Sequence, residues 1–361
     1  MSKLNELAAL GQSVWLDYIS REILEDGTLK NYISIGVRGV TSNPTIFEKA
    51  INGSQDYDEE MKELISNDKS AKEIYDSLVL KDISAAADLF LPVYEQTGGT
   101  DGYVSIEVDP TLANDTEGTV REARTLFAEL SRPNIMIKVP ATPAGIPAIE
   151  TLISEGINVN VTLMFSMAHY KSVVEAYISG LEKYHDKGGD LRKVASVASF
   201  FVSRVDVAVD RMLQEIGNRE LQGKIAIANS ILVYSKFLDI IAGARWQKLE
   251  KEGARIQRVL WASTGTKNPE YSDTLYVDSL IGDHTVNTIP PDTLDAFMND
   301  GTVARTIASG LDSSKACIDA LQNLGIDLDE ITEKLQLEGV DKFIHSFDTL
   351  MEAIRRKNGR L

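Results

Sequence analysis

Eight short apolar or alternating runs, each followed by a helical pattern, recur along the 361 residues and restrict the fold more than any other feature. The patterning predicts strands over Ser13–Asp17, Val37–Ser42, Tyr103–Val108, Ile135–Val139, Ile157–Leu163, Val194–Ser199, Val259–Ser263 and Thr285–Ile289. The stretches between them are amphipathic. Ser166 is placed to cap a helix carrying Met167, Tyr170, Val174, Tyr177 and Leu181 at three- and four-residue spacings. Thr142-Pro143 reads as a cap followed by proline at the first helical position, opening a helix through Ile149 and Leu152. A single long helix is expected from about Ile225 to Glu250. Such alternation favours a closed (β/α)8 barrel with additional helices at its two ends; an open doubly wound sheet is the alternative. The chain after Thr302 reads as helix without strand, and no linker or repeat divides the sequence. A single barrel domain over residues 1–361, with a helical C-terminal extension after about residue 302, is therefore expected.

Within the runs, polar residues occupy one of the two period-two faces. Ser105 and Glu107 oppose Val104, Ile106 and Val108, while Asn158, Asn160 and Thr162 oppose four aliphatics. Asp17 ends the first run in phase with Ser13 and Trp15, and Lys138 ends the fourth in phase with Met136. In an antiparallel sheet such a polar face would be solvated. In a parallel barrel covered by helices it points inward, where catalytic groups gather at the C-terminal strand ends. A lysine in an apolar strand is costly to bury as an ammonium, which favours the neutral amine that forms Schiff bases with carbonyls. From its own segment, Lys138 reads equally well as a strand-end lysine reaching solvent. Together with Asp17 and Glu107 it suits imine chemistry with carboxylates moving protons. Ser199 ends the sixth run, Arg204 follows one turn later, and the loop Ser263-Thr264-Gly265-Thr266-Lys267-Asn268 follows the seventh. Hydroxyls, backbone N–H groups and cations there suit a phosphate, although a loop of this composition taken alone is equally a plain turn.

Other chemistry is poorly supported. The net charge of −17 argues against a nucleic-acid surface. The single cysteine, Cys317, precludes an intramolecular disulfide, and His169, His185, His284 and His345 lack paired ligand spacing. No G-x-G-x-x-G or G-x-x-x-x-G-K-[ST] follows a strand. No run approaches the roughly 20 apolar residues of a membrane span, and the first residues show no secretory pattern. A cytoplasmic protein is expected.

Trp15-Leu16-Asp17, Gly39-Val40-Thr41-Ser42-Asn43-Pro44-Thr45, Val104-Ser105-Ile106-Glu107-Val108-Asp109-Pro110, Ile137-Lys138-Val139-Pro140-Ala141-Thr142 and Asn158-Val159-Asn160-Val161-Thr162-Leu163 together resemble the transaldolase family, from Ser13 to the eighth strand. The resemblance implies transfer of a dihydroxyacetone unit from sedoheptulose 7-phosphate to glyceraldehyde 3-phosphate in the non-oxidative pentose phosphate pathway, with no metal or organic cofactor. It assigns Lys138 as the Schiff-base lysine and Asp17 as the acid/base at the donor C4 hydroxyl. Glu107 and Thr162 would position a proton-shuttling water. Asn43, Asn160 and Ser199 would hold hydroxyls, with Arg204, Ser263 and Lys267 on the phosphate side. Many relatives carry an arginine near Lys267, so this chain loses one bidentate fork. Phosphorylated sugars are the expected partners, and a homo-oligomer is allowed. A fructose 6-phosphate aldolase carries glutamine at the position resembling Glu107 and tyrosine at that resembling Phe201, so transfer is favoured over release. The further alternative is a non-catalytic sugar-phosphate-binding barrel.

Overall fold

A computed structural model describes residues 2–358. Eight parallel strands close into a barrel in sequence order: β1 (Gln12–Leu16), β2 (Val37–Thr41), β3 (Tyr103–Glu107), β4 (Ile135–Pro140), β5 (Val159–Met164), β6 (Ser196–Phe201), β7 (Arg258–Ala262) and β8 (Thr285–Ile289). The closed barrel expected from the alternation is present, and the open sheet is not. Helices outside cover the apolar faces, so the alternation separates inside from outside rather than buried from exposed. Ser105, Asn160, Thr162 and Asn287 are fully buried within the barrel.

Strand ends move by one or two residues from their expected positions, because stagger against the neighbours, not a run's own pattern, ends a ladder. Asp17, Ser42, Val108 and Ser263 fall just past their strands, and β5 begins at Val159 rather than Ile157. Lys138 lies two residues inside β4, and Ser199 lies inside β6 instead of ending it.

Two helix expectations need correction. The Ile225–Glu250 stretch is two helices, Ile225–Ile241 and Ala244–Lys251, bent by 63°. Gly243 takes an extended conformation between them and breaks the run that the apolar pattern alone would continue. The helix after β4 starts at Gly145, so Pro143 is not its first residue, although Thr142 Oγ1 still accepts the Gly145 N–H at 2.9 Å. A side chain at Gly145 would collide with the Pro140 carbonyl, which fixes the helix start against the strand end. Ser166 caps the Met167–Asp186 helix as expected, accepting from His169 N–H.

The N-terminal mouth of the barrel is plugged. Arg258 pairs with Asp101 at 2.8 Å and donates to Ser13 Oγ, while Trp15 Nε1 donates to the same carboxylate. Gly39 leaves room for the Trp15 indole, which any β-carbon there would strike.

At the opposite mouth, the 31-residue helix Leu328–Asn358 lies across the strand ends. Gln336 Nε2 donates to the carbonyls of Ala141 and Leu163, beyond β4 and within β5. Ten residues on, the Ser346 hydroxyl meets that of Thr45, which follows β2. Among the described residues no single helix is long and apolar enough to cross a membrane.

Candidate active site

The register of β3, β4 and β5 sets Glu107 beside Lys138 and Lys138 beside Asn160, with Thr162 beside Pro140 one layer higher. Lys138 is 5 % exposed. Its Nζ donates to the Ser42 carbonyl at 2.9 Å and lies 3.6 Å from Glu107 Oε2. The apolar neighbours of Lys138 in sequence, Ile137 and Val139, lie on the opposite strand face from it, so its immediate partners are oxygens.

Glu107 Oε2 and Thr162 Oγ1 are buried and have no protein hydrogen-bond partner. Burial pushes the Glu107 carboxyl up; the Lys138 ammonium opposes this, and the charge of Asp17 adds to it. Asp17, one residue beyond β1, accepts from Thr41 Oγ1 at 2.7 Å, and that hydroxyl also meets Thr288 Oγ1 at 2.6 Å. Burial pushes the Asp17 carboxyl up as well, against Lys138, the Thr41 hydrogen bond, Lys267 and Arg204. Two carboxyls raised by burial beside one lysine form a set of groups suited to passing protons.

A cleft of about 240 Å³ opens above this layer. Asp17, Asn43, Lys138, Thr162, Ser199, Arg204, Ser263 and Lys267 all line it, so residues from six strand ends converge as the barrel topology requires. Glu107 and Asn160 sit beneath its floor. The Asn160 amide is committed to protein partners, accepting from Ser199 Oγ at 2.7 Å and donating to Ser105 Oγ at 3.0 Å. Asn43 Oδ1 caps the Pro44–Gly53 helix through Ile46 N–H. Ser263 adopts a left-handed conformation (φ 57°), and its hydroxyl meets that of Ser203 at 2.9 Å.

Arg204 is the second residue of the Ser203–Glu215 helix, its guanidinium 5.2 Å from the centre of the Phe201 ring. Burial lowers its pKa, opposed by Asp17 and Glu338. Lys267 reaches the same wall of the cleft from the loop after β7.

Among the cleft residues that sequence reasoning did not assign to the site are Thr41, Thr288, Lys49 and Lys342. Thr41 and Thr288 lie within or next to runs already singled out, so their phase with the barrel interior was available as a signal. Lys49 and Lys342 carry none, because each looks like an ordinary solvated lysine on a helix. Among the described residues no group of three or more His, Cys, Asp and Glu side chains could hold a metal ion.

The model of the Transaldolase/Fructose-6-phosphate aldolase family matches residues 14–354. The chain is similar to a protein named Transaldolase from Trichodesmium erythraeum, 47% identical over 99% of this chain and 98% of that one. It is equally similar to a Transaldolase from Thermobifida fusca, at 47% identity over 99% and 98% of the two chains. A Transaldolase 2 from Nostoc sp. is 43% identical over the same shares. A matching barrel, a buried lysine flanked by carboxyls and similarity over almost the whole length lead to one conclusion: the chain belongs to the transaldolase/fructose-6-phosphate aldolase family.

Proposed function

We infer that the chain is a transaldolase that moves a dihydroxyacetone unit between sedoheptulose 7-phosphate and glyceraldehyde 3-phosphate, giving erythrose 4-phosphate and fructose 6-phosphate. The observation that carries this reading is Lys138, buried at the cleft floor with Glu107 3.6 Å away and Asp17 in the same cleft. In its neutral form the Lys138 amine adds to the donor C2 carbonyl, and loss of water leaves a protonated imine. The Asp17 carboxylate takes the C4 hydroxyl proton and the C3–C4 bond breaks. Its electron pair enters the imine to form an enamine, and the aldehyde product leaves. The enamine carbon then attacks the acceptor aldehyde, Asp17 returns the proton, and water releases the new ketose from Lys138. Glu107 and Thr162, each with an unspent buried oxygen, are suited to hold the water that carries protons while the imine forms and hydrolyses.

Ser199 and Asn43 form the hydroxyl-binding side, with the Asn160 amide beneath the floor holding the Ser199 hydroxyl. Arg204, Ser263 and Lys267 form the phosphate side. Glu107 and Phe201, which lines the cleft, support transfer over release of free dihydroxyacetone. The C-terminal helix supplies Lys342 and Phe343 to the cleft, so we treat barrel and extension as one functional unit. We assign the enzyme to the non-oxidative pentose phosphate pathway and propose the cytoplasm as its location, a reading supported by sugar-phosphate substrates. A homo-oligomer is the assembly we propose.

The test is turnover of fructose 6-phosphate with and without erythrose 4-phosphate. Formation of sedoheptulose 7-phosphate that depends on the acceptor supports transfer. Free dihydroxyacetone released at the same rate without acceptor would make the protein a lyase, and no turnover would leave a binding barrel.

A further inference from the structure

The C-terminal helix carries a lysine into the cleft that neither the barrel strands nor their loops account for. Lys342 lies between the two points where this helix is tied down, six residues beyond Gln336 and four before Ser346. At about 1.5 Å per residue, those ties hold it roughly 9 Å and 6 Å from fixed points at the β4–β5 and β2 sectors of the mouth. Its position over the cleft is therefore set by the fold. Phe343, the next residue, is 4 % exposed and lines the same cleft, which anchors the helix face on which Lys342 emerges.

The neighbours of Lys342 are cations. Arg204, Lys267 and Lys49 line the cleft with it, from the helix after β6, the loop after β7 and the helix after β2. Among the described residues, none of these four side chains has a carboxylate within 4.0 Å of its charged nitrogen, although the chain as a whole carries a net charge of −17. Burial, and then Arg204, Lys267 and Lys49, depress the Lys342 pKa. Asp17 in the cleft and Glu338 on the same helix offset part of this charge without pairing with any of the four, and the remaining repulsion is what a bound dianion relieves.

We propose that Lys342 is a third cation of the phosphate site, supplied by the C-terminal helix to act with Arg204 and Lys267 on the phosphate of the sugar substrates. This rests on the reading of the cleft as a sugar-phosphate site and adds a ligand group from outside the barrel. It also gives a physical role to lysine at position 267. A lone ammonium lacks the two-pronged geometry of a guanidinium, and a second ammonium from across the mouth restores charge where a fork is missing. Lys49, further round the rim, adds to the field that draws the anion in.

The experiment uses the full-length chain carrying Lys342→Gln or Lys342→Arg, with Arg204→Ala as a reference. Inorganic phosphate is titrated calorimetrically, and kcat/KM is measured for glyceraldehyde 3-phosphate and for glyceraldehyde. Lys342→Gln is expected to weaken phosphate binding and kcat/KM for the phosphorylated acceptor by about tenfold, the scale of one charge-assisted hydrogen bond at a partly open site. The loss on glyceraldehyde should be several-fold smaller, and Lys342→Arg should recover most of the phosphate affinity. Equal losses on the two acceptors, or unchanged phosphate binding in Lys342→Gln, would overturn the proposal. The reference then shows how far the failure reaches. If Arg204→Ala alone loses phosphate selectively, the phosphate site stands without Lys342; if neither does, the site itself is misplaced.

Discussion

Asp206 provides a stability test whose size follows from its surroundings. It is 1 % exposed on the Ser203–Glu215 helix, accepting from Ala226 N–H at 2.7 Å and from the Tyr276 hydroxyl at 3.0 Å. Burial, reinforced by the charge of Asp210 and opposed by those hydrogen bonds, pushes its pKa from an ordinary 3.8 up to about 7. At 1.36 kcal/mol per pKa unit, ionising it in the native state costs about 4 kcal/mol more than in the unfolded chain. The sign follows from proton uptake. Between the two values the native state holds a proton that the unfolded state has lost, so stability falls as pH rises through that window and levels off above about 7. Between pH 5 and 8 the wild type loses about 2–3 kcal/mol through this group, roughly 3 °C in Tm for a chain of this length. Asp206→Asn keeps an acceptor for Ala226 N–H and offers an amide to the Tyr276 oxygen, but has no proton to lose. Thermal melts of both proteins at pH 5, 6, 7 and 8, at one ionic strength and scan rate, isolate the difference. The variant should gain on wild type by about 2–3 kcal/mol from pH 5 to pH 8. Parallel curves would show that Asp206 ionises as easily as an exposed carboxylate, and the burial argument would fail.

Asp17→Asn should still form the imine but lose carbon–carbon cleavage by roughly 10²–10⁴-fold, since an amide cannot take the C4 hydroxyl proton; rapid-quench trapping with turnover assays separates the two steps, and near-normal turnover would move the role to Glu107. Arg204→Ala should cost about 2–4 kcal/mol in kcat/KM on glyceraldehyde 3-phosphate and far less on glyceraldehyde, with Lys267→Ala showing the same selectivity at smaller size; equal losses on both acceptors would make these cations structural. EDTA should leave turnover unchanged, and a loss restored by zinc or magnesium would contradict the imine chemistry.

The alternation of polar and apolar residues along the strands disclosed which side chains enter the barrel, because period two fixes the face of a strand residue regardless of its neighbours. Lys138, Asp17 and Thr162 were legible in this way. Lateral adjacency was not. That Glu107 stands beside Lys138, and Asn160 beside it on the other side, depends on strand stagger, which no single segment encodes. Ser199 was placed at a strand end and lies inside β6, where it reaches Asn160 rather than the rim alone. Gly243 ended a helix within an unbroken apolar pattern, a case of backbone conformation overriding periodicity. Lys342 was invisible because its role depends on where a distant helix is pinned, by Gln336 to β4 and β5 and by Ser346 to Thr45.

On the proposed mechanism the buried Lys138 amine carries the substrate as an imine. Incubation with fructose 6-phosphate, reduction with borohydride and peptide mass mapping test it directly. A reduced three-carbon dihydroxyacetone adduct confined to the peptide containing Lys138, and lost in Lys138→Ala, is the predicted result. An adduct on another lysine, or one no more abundant than on an unrelated protein, would contradict it.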